Sequence, residues 1–268
     1  MKGEKMKKGA KWILTVLIIC ILTTSTVHAE VGSYSWYCRH VKGHIQPPIA
    51  EELQFVESLN GYCLDRRSAD PNAQSKVIYL TFDAGYENGN VKKTLDVLRQ
   101  KDVSAAFFIL ENLVTRNTDL VKRMAEEGHT VCNHTASHKN MSCAKSEEFL
   151  AELNRLEAIY EQETGKQLAK YYRPPEGRFS RENLIDASQN GYKTIFWSFA
   201  YPDWDNNRQI DLEKAKAIIL DNAHNGEIML LHPTSSTNAA ILGDVIDALR
   251  AQGYRFGTLD ELTSTAEA

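Results

Sequence analysis

From residue 76 to residue 258 the sequence repeats one pattern, and that pattern leaves few folds open. Short β-branched and aromatic runs at 77–82, 105–110, 130–133, 171–173, 194–199, 227–231 and 254–258 read as strands. Amphipathic stretches at 91–100, 119–127, 146–164, 181–190, 212–223 and 239–252 read as helices, several closed by a glycine such as Gly128, Gly165, Gly191 or Gly253. Repeated βα units imply a parallel sheet, and seven or so of them predict an α/β fold closed into a distorted (β/α)7–8 barrel. The length of 268 residues suits one such domain, and 43% apolar with 25% charged residues excludes collagen-like, low-complexity and wholly disordered chains.

The residues ahead of the barrel divide in two. Lys2, Lys5, Lys7, Lys8 and Lys11 precede an apolar stretch at 12–22 and a small-residue cleavage site at Val27-His28-Ala29, so residues 1–29 read as an export signal, or an uncleaved anchor. The apolar run is shorter than the roughly 20 residues a membrane span needs. Five Lys and one Glu give that segment a charge of +4, and subtracting it from the overall −4 leaves −8 on the remainder. An acidic body repels phosphates and argues against a nucleic-acid partner. Residues 30–75, with Pro47-Pro48 and one helical pattern at 51–59, are expected to form an extension packed on a barrel domain at 76–262, with a tail at 263–268.

Outside the cell the cysteines Cys38, Cys63, Cys132 and Cys143 could form disulfides; Cys38 with Cys63 and Cys132 with Cys143 are the local pairings. The alternative is that they are small buried hydrophobes. No Cys-x-x-Cys spacing supports a structural zinc site.

Barrel enzymes gather their chemistry at the C-terminal ends of the strands. Here Asp83 ends the first strand, His134 and His138 follow the third, Arg173 ends the next, Asp203 and Trp204 follow the one after, and His232 ends the run 228–231. One such residue is usually a satisfied buried polar group; five in register point to a site. His134 and His138 lie four apart, a spacing that puts two imidazoles on one face of a helical turn and suits a divalent metal. Asp83 can serve as a general base and His232 as a proton donor. Arg173 can hold a carboxylate ionised, and Asp203 can raise the pKa of His232.

These residues resemble the NodB-type polysaccharide deacetylases, carbohydrate esterase family 4. The five ordered motifs are Thr81-Phe82-Asp83-Ala84-Gly85, His134 to His138, Arg173-Pro174-Pro175-Glu176-Gly177, Asp203-Trp204 and Leu230-Leu231-His232. The fuller stretch from Tyr79 to Gly89 and the opening Tyr34-Ser35-Trp36-Tyr37 are similar to the PdaA-type subgroup, which makes muramic δ-lactam in spore cortex. The resemblance implies that Asp83 is the base, His232 the acid, Arg173 and Asp203 their tuning partners, and His134 and His138 the metal ligands. It also implies that Trp204 walls the sugar groove, with Tyr86, Glu176 and Arg178 beside the substrate. The implied reaction is removal of acetate from N-acetylmuramic acid of peptidoglycan by an exported monomer in the cell wall or spore cortex space, membrane contact being limited to the N-terminal segment.

Two positions depart from the family. The usual third metal ligand follows the base, and here it is Ala84; weakly held zinc or cobalt is expected, with waters, the substrate or an asparagine such as Asn88 or Asn140 completing the shell. Glu176 stands where many members have Tyr, and its charge opposes a lactyl carboxylate unless Arg178 offsets it. The alternatives are an N-acetylglucosamine or chitin-type deacetylase, a glycan-binding protein with an impaired metal site, and a glycoside hydrolase pairing Asp83 with Glu87.

Overall fold

The computed structural model describes residues 32–70, 73 and 75–264. The expected export segment and residues 265–268 of the expected tail lie outside the described residues. Among the described residues ten strands occur in chain order: β1 (Tyr34–Ser35), β2 (Gly61–Tyr62), β3 (Lys76–Ala84), β4 (Ala106–Ile109), β5 (Thr130–Asn133), β6 (Ala169–Tyr172), β7 (Arg178–Phe179), β8 (Lys193–Ile195), β9 (Glu227–Leu231) and β10 (Tyr254–Phe256). The helices are α1 (Asn90–Lys101), α2 (Glu111–Arg116), α3 (Thr118–Glu126), α4 (Ser146–Thr164), α5 (Arg181–Gln189), α6 (Leu212–Asn222), α7 (Ser236–Ala251) and α8 (Leu259–Thr263).

The main sheet runs β10-β3-β4-β5-β6-β8-β2, with β9 also paired to β3 and every paired strand parallel. Isolated bridges from Phe199 to Met229 and from Leu64 to Glu227 tie β9 back towards the far edge. The result is a curled parallel sheet, a half-barrel ringed by helices, as the βα alternation predicts.

Side chains of β3 show how the sheet sorts them. Successive residues point to opposite faces, so Ile78, Leu80, Phe82 and Ala84 pack with helix residues such as Val91, Leu95 and Val245 in the outer layer. Val77 and Tyr79 pack inwards with Phe108, Cys132, Tyr171 and Ile195, capped by Leu259 and Leu262 of α8. Continuing the alternation carries Thr81 and Asp83 onto the inner face. Both faces of β3 are covered, which is why its sequence is apolar throughout rather than alternating.

The expected strand at 194–199 stops at Ile195. The carbonyls of Ile195 and Phe196 accept hydrogen bonds from Arg173, at 3.0 and 3.3 Å, so the ladder cannot continue through them. Thr263, expected in the tail, instead ends α8 and is buried. The two-turn helix α2 and the two-residue strands were too short to leave a period in the sequence. Among the described residues all four cysteines are free: Cys63 and Cys132 are buried, Cys38 half-buried and Cys143 exposed. Among those residues no helix is long and apolar enough to cross a membrane.

The segment ahead of β3 backs the loops that will form the site. Tyr34 pairs with Phe179, the Trp36 amide donates to the Gly177 carbonyl at 2.8 Å, and Trp36 Nε1 donates to the Trp197 carbonyl at 2.9 Å. The Trp36 ring stacks on Phe196 with centroids 4.5 Å apart. Truncating a buried aromatic costs about 3–5 kcal/mol. Trp36→Ala is therefore expected to lower the free energy of unfolding by about that amount, measured by urea denaturation.

Candidate active site

At the C-terminal ends of the strands lies a cleft of about 710 Å³, lined by Asp83, His138, Glu176, Trp197, Trp204 and His232 among others. Asp83 in that lining is held by Arg173, which is 0% exposed and does not itself line the cleft. Arg173 follows β6, and its guanidinium is spent inside the barrel: Nη1 donates to Asp83 Oδ1 at 2.8 Å, Nη2 to Thr81 Oγ1 at 2.9 Å, and the plane lies 4.1 Å from the Phe108 ring centroid. Burial alone would push the Asp83 carboxyl up. The charge of Arg173, with help from His134, His232 and the Arg173 hydrogen bond, outweighs it and holds Asp83 below the usual carboxylate range.

His134 leaves β5 beside this pair, with Nε2 3.5 Å from Asp83 Oδ2. Its Nδ1 lies 2.8 Å from the Arg173 carbonyl, an acceptor, so Nδ1 carries the hydrogen and Nε2 presents a lone pair. Burial lowers the pKa of His134 to about 4, which keeps it a neutral imidazole.

His138 reaches the same place by a route the sequence reading did not foresee. Residues 134–138 form no helical turn; Thr135 and His138 instead take left-handed conformations, φ +68° and +59°, which reverse the chain. Short side-chain bonds hold that loop: Asn133 Oδ1 accepts from the Thr135 amide, Thr135 Oγ1 from the His138 amide, and Glu152 of α4 from both the amide and hydroxyl of Ser137. The two imidazole centroids end 5.0 Å apart. Among the described residues no group of three or more His, Cys, Asp or Glu side chains is placed to hold a metal ion by itself. The donor set is two imidazoles with a carboxylate nearby, nitrogen and oxygen donors of the kind that suit a divalent cation.

Ala84 is as the sequence reads it, while the asparagines weighed for that shell and Glu87, weighed as a partner for Asp83, are placed elsewhere. Ala84 is fully buried in the outer apolar layer and supplies no oxygen. Asn88 donates to the Thr234 carbonyl and accepts from the Asn90 amide, and Asn140 accepts from the Ser142 amide, so both are engaged elsewhere. Glu87, the carboxylate considered as a partner for Asp83, accepts from the Gly89 and Lys92 amides at the start of α1 and lines a separate depression.

Across the cleft, His232 follows β9. Asp203 Oδ1 meets its Nδ1 at 2.7 Å while Oδ2 accepts its backbone amide at 2.7 Å. Burial would lower the imidazole pKa, but the charge of Asp203, its hydrogen bond and the charge of Asp83 together raise it. With Nδ1 facing Asp203, Nε2 is the nitrogen free to face the cleft.

The remaining candidates sit at the rim. Trp204 is 62% exposed along one wall. Glu176, at φ +55°, lines the cleft and pairs with Arg178 at 3.2 Å; Arg178 is not among the residues lining the cleft. Tyr86 also stands outside the lining, its hydroxyl accepting from Asn206. Trp197, Tyr201 and Pro202 line the cleft without having been singled out, since in sequence an apolar residue that faces a cleft looks like one that faces the core.

The polysaccharide deacetylase family profile matches residues 70–195. A peptidoglycan-N-acetylmuramic acid deacetylase, PdaA of Bacillus subtilis, is 35% identical over 257 residues, covering 94% of this chain and 95% of that one. A peptidoglycan-N-acetylglucosamine deacetylase of Bacillus cereus is 34% identical, covering 72% of this chain and 90% of its own. The structure of B. subtilis PdaA, described as a family 4 carbohydrate esterase, superposes with a TM-score of 0.80 at 36% identity over 87% of this chain and 97% of that one.

Because the Asp203 charge is what lifts His232, Asp203→Asn is expected to lower the His232 imidazole pKa relative to wild type. Titration of the ring nitrogens by 15N NMR reads the direction directly.

Proposed function

The chain belongs to the polysaccharide deacetylases and is a hydrolase of amide bonds, and from that premise we propose that it removes acetate from N-acetylmuramic acid residues of peptidoglycan. The substrate is glycan from which the peptide has already been removed, met outside the cytoplasm. The freed amine and the lactyl carboxylate are then placed to close into the muramic δ-lactam of spore cortex, within this site or after release. Similarity to a muramic deacetylase over nearly the whole chain supports this choice of substrate.

One observation carries the mechanism: a carboxylate held ionised by a buried arginine shares one cleft with an imidazole whose pKa a second carboxylate raises. Asp83 takes the proton of the attacking water, and Arg173 keeps it ready to do so. His232 delivers a proton through Nε2 to the departing amine, which is too basic to leave unprotonated. Deacetylases of this family depend on a divalent metal; His134 and His138 would hold it, as zinc or cobalt bound weakly, and it would supply positive charge to stabilise the oxyanion. Asp83 must be ionised and His232 protonated, and the shifts move the two pKa values apart. A broad activity plateau through neutral pH is expected, with an acid limb below the usual carboxylate range and a basic limb above the usual imidazole value.

N-acetylglucosamine is the second reading, favoured by one observation: Glu176 puts a carboxylate on the cleft wall, where it opposes a lactyl group. Incubating the protein with peptide-free glycan and zinc or cobalt, with acetate and product sugars assayed, separates the two. Acetate from muramic residues supports the first reading and acetate from glucosamine alone the second; acetate from neither ends both. Asp83→Asn is expected to lower the rate by about 10²- to 10⁴-fold, and a chelator to abolish activity until metal is restored. Ala84→Asp places a carboxylate in an apolar layer, so it is expected to lower the Tm of the protein, measured by thermal denaturation.

A further inference from the structure

Asp203 has a partner that the strand-exit pattern did not reveal and the proposed reaction leaves unused. Asn238, the third residue of α7, is 2% exposed. Its Nδ2 donates to Asp203 Oδ2 at 2.6 Å and to the His232 carbonyl at 3.2 Å, while its Oδ1 accepts from the Tyr201 hydroxyl. The amide cannot be turned over. Its oxygen would then face the Asp203 carboxylate, lone pair against lone pair, and its NH2 would face a hydroxyl that already needs an acceptor. Asp203 is consequently gripped on both oxygens: Oδ2 by the His232 amide and Asn238, Oδ1 by His232 Nδ1. Tyr201, which fixes Asn238, is itself part of the cleft wall.

We propose that Asn238 is a positioning residue for His232: it holds the Asp203 carboxylate in the plane where Oδ1 meets Nδ1, and Tyr201 holds Asn238. Without it, Oδ2 keeps only the His232 backbone amide, so apart from the imidazole itself a single bond resists rotation of Asp203, and the imidazole loses its fixed direction toward the cleft. The inference rests on His232 acting as the acid, a role assigned under the proposed function.

The test compares wild type with Asn238→Leu and Tyr201→Phe, following the His232 ring nitrogens by 15N NMR and the pH profile of acetate release. The charged groups acting on His232 are Asp203, Asp83 and Arg173; neither substitution alters them. In Asn238→Leu, Asp203 turns off Nδ1, so the imidazole pKa falls and the basic limb moves to lower pH. The kcat is expected to fall about tenfold, the equivalent of one charge-assisted hydrogen bond, with KM within about twofold because no substrate contact is lost. Tyr201→Phe keeps the ring in the wall and shifts the pKa in the same direction by less. A His232 titration identical to wild type in both variants overturns the proposal whatever happens to activity or Tm. Should Asn238→Leu fail to fold, Tyr201→Phe decides alone. The NMR titration needs no turnover, so a protein that released no acetate would defeat the functional reading while leaving this inference to be judged on its own.

Discussion

A guanidinium buried inside a barrel must be paired, and the Arg173–Asp83 contact at 2.8 Å is the constraint around which this molecule is arranged. Taking both charges out of water is costly, and the cost is offset only because other groups complete the set: the Thr81 hydroxyl, the carbonyls of Ile195 and Phe196, and the ring of Phe108. Each of these commits backbone elsewhere. β8 ends where its carbonyls turn to Arg173, and β3 must present Thr81 and Asp83 on one face. The same interaction that secures the interior leaves Asp83 ionised at the foot of the cleft, so stability and reactivity depend on one pair.

Opposite it stands a second pair built on a different principle. Arg173, itself fully buried, holds a carboxylate at the cleft by charge, whereas Asp203 holds an imidazole that is 24% exposed by charge and by geometry. The shifts run in opposite senses, one acid pushed down and one base pushed up. Two titratable groups driven apart in this way can give and take protons in the same pH range. The loop that carries His134 and His138 supplies neither; it offers imidazole nitrogens, and its left-handed residues are kept in place by Asn133, Thr135 and Glu152.

Much of this was legible in the chain. Strand and helix periods located the barrel to within a few residues, because burial on a pleated sheet and burial on a helix leave different spacings in a sequence. The strand-exit positions of Asp83, His134, Arg173, Asp203 and His232 were visible for the same reason. The His134–His138 spacing was read as a helical turn and is a loop with two left-handed residues; two residues four apart meet by either path, and the choice turned on local bonds from Asn133 and Thr135 and on Glu152, which reaches Ser137 from a separate helix. Trp197 and Tyr201 were hidden because an aromatic residue facing a cleft and one facing the core share a composition.

What the sequence determined by itself was periodicity and chemical inventory: a parallel αβ alternation, ionisable residues at its exits, and an alanine where a ligand is customary. The tertiary structure alone decided distance and orientation. It set which oxygen of Asp203 meets His232, which carbonyl fixes the tautomer of His134, and that Asn88, Asn140 and Glu87 are occupied elsewhere. Side-chain spacing along a strand or helix is dictated locally by covalent geometry. The direction of a hydrogen bond between segments tens of residues apart is dictated by how the whole barrel packs.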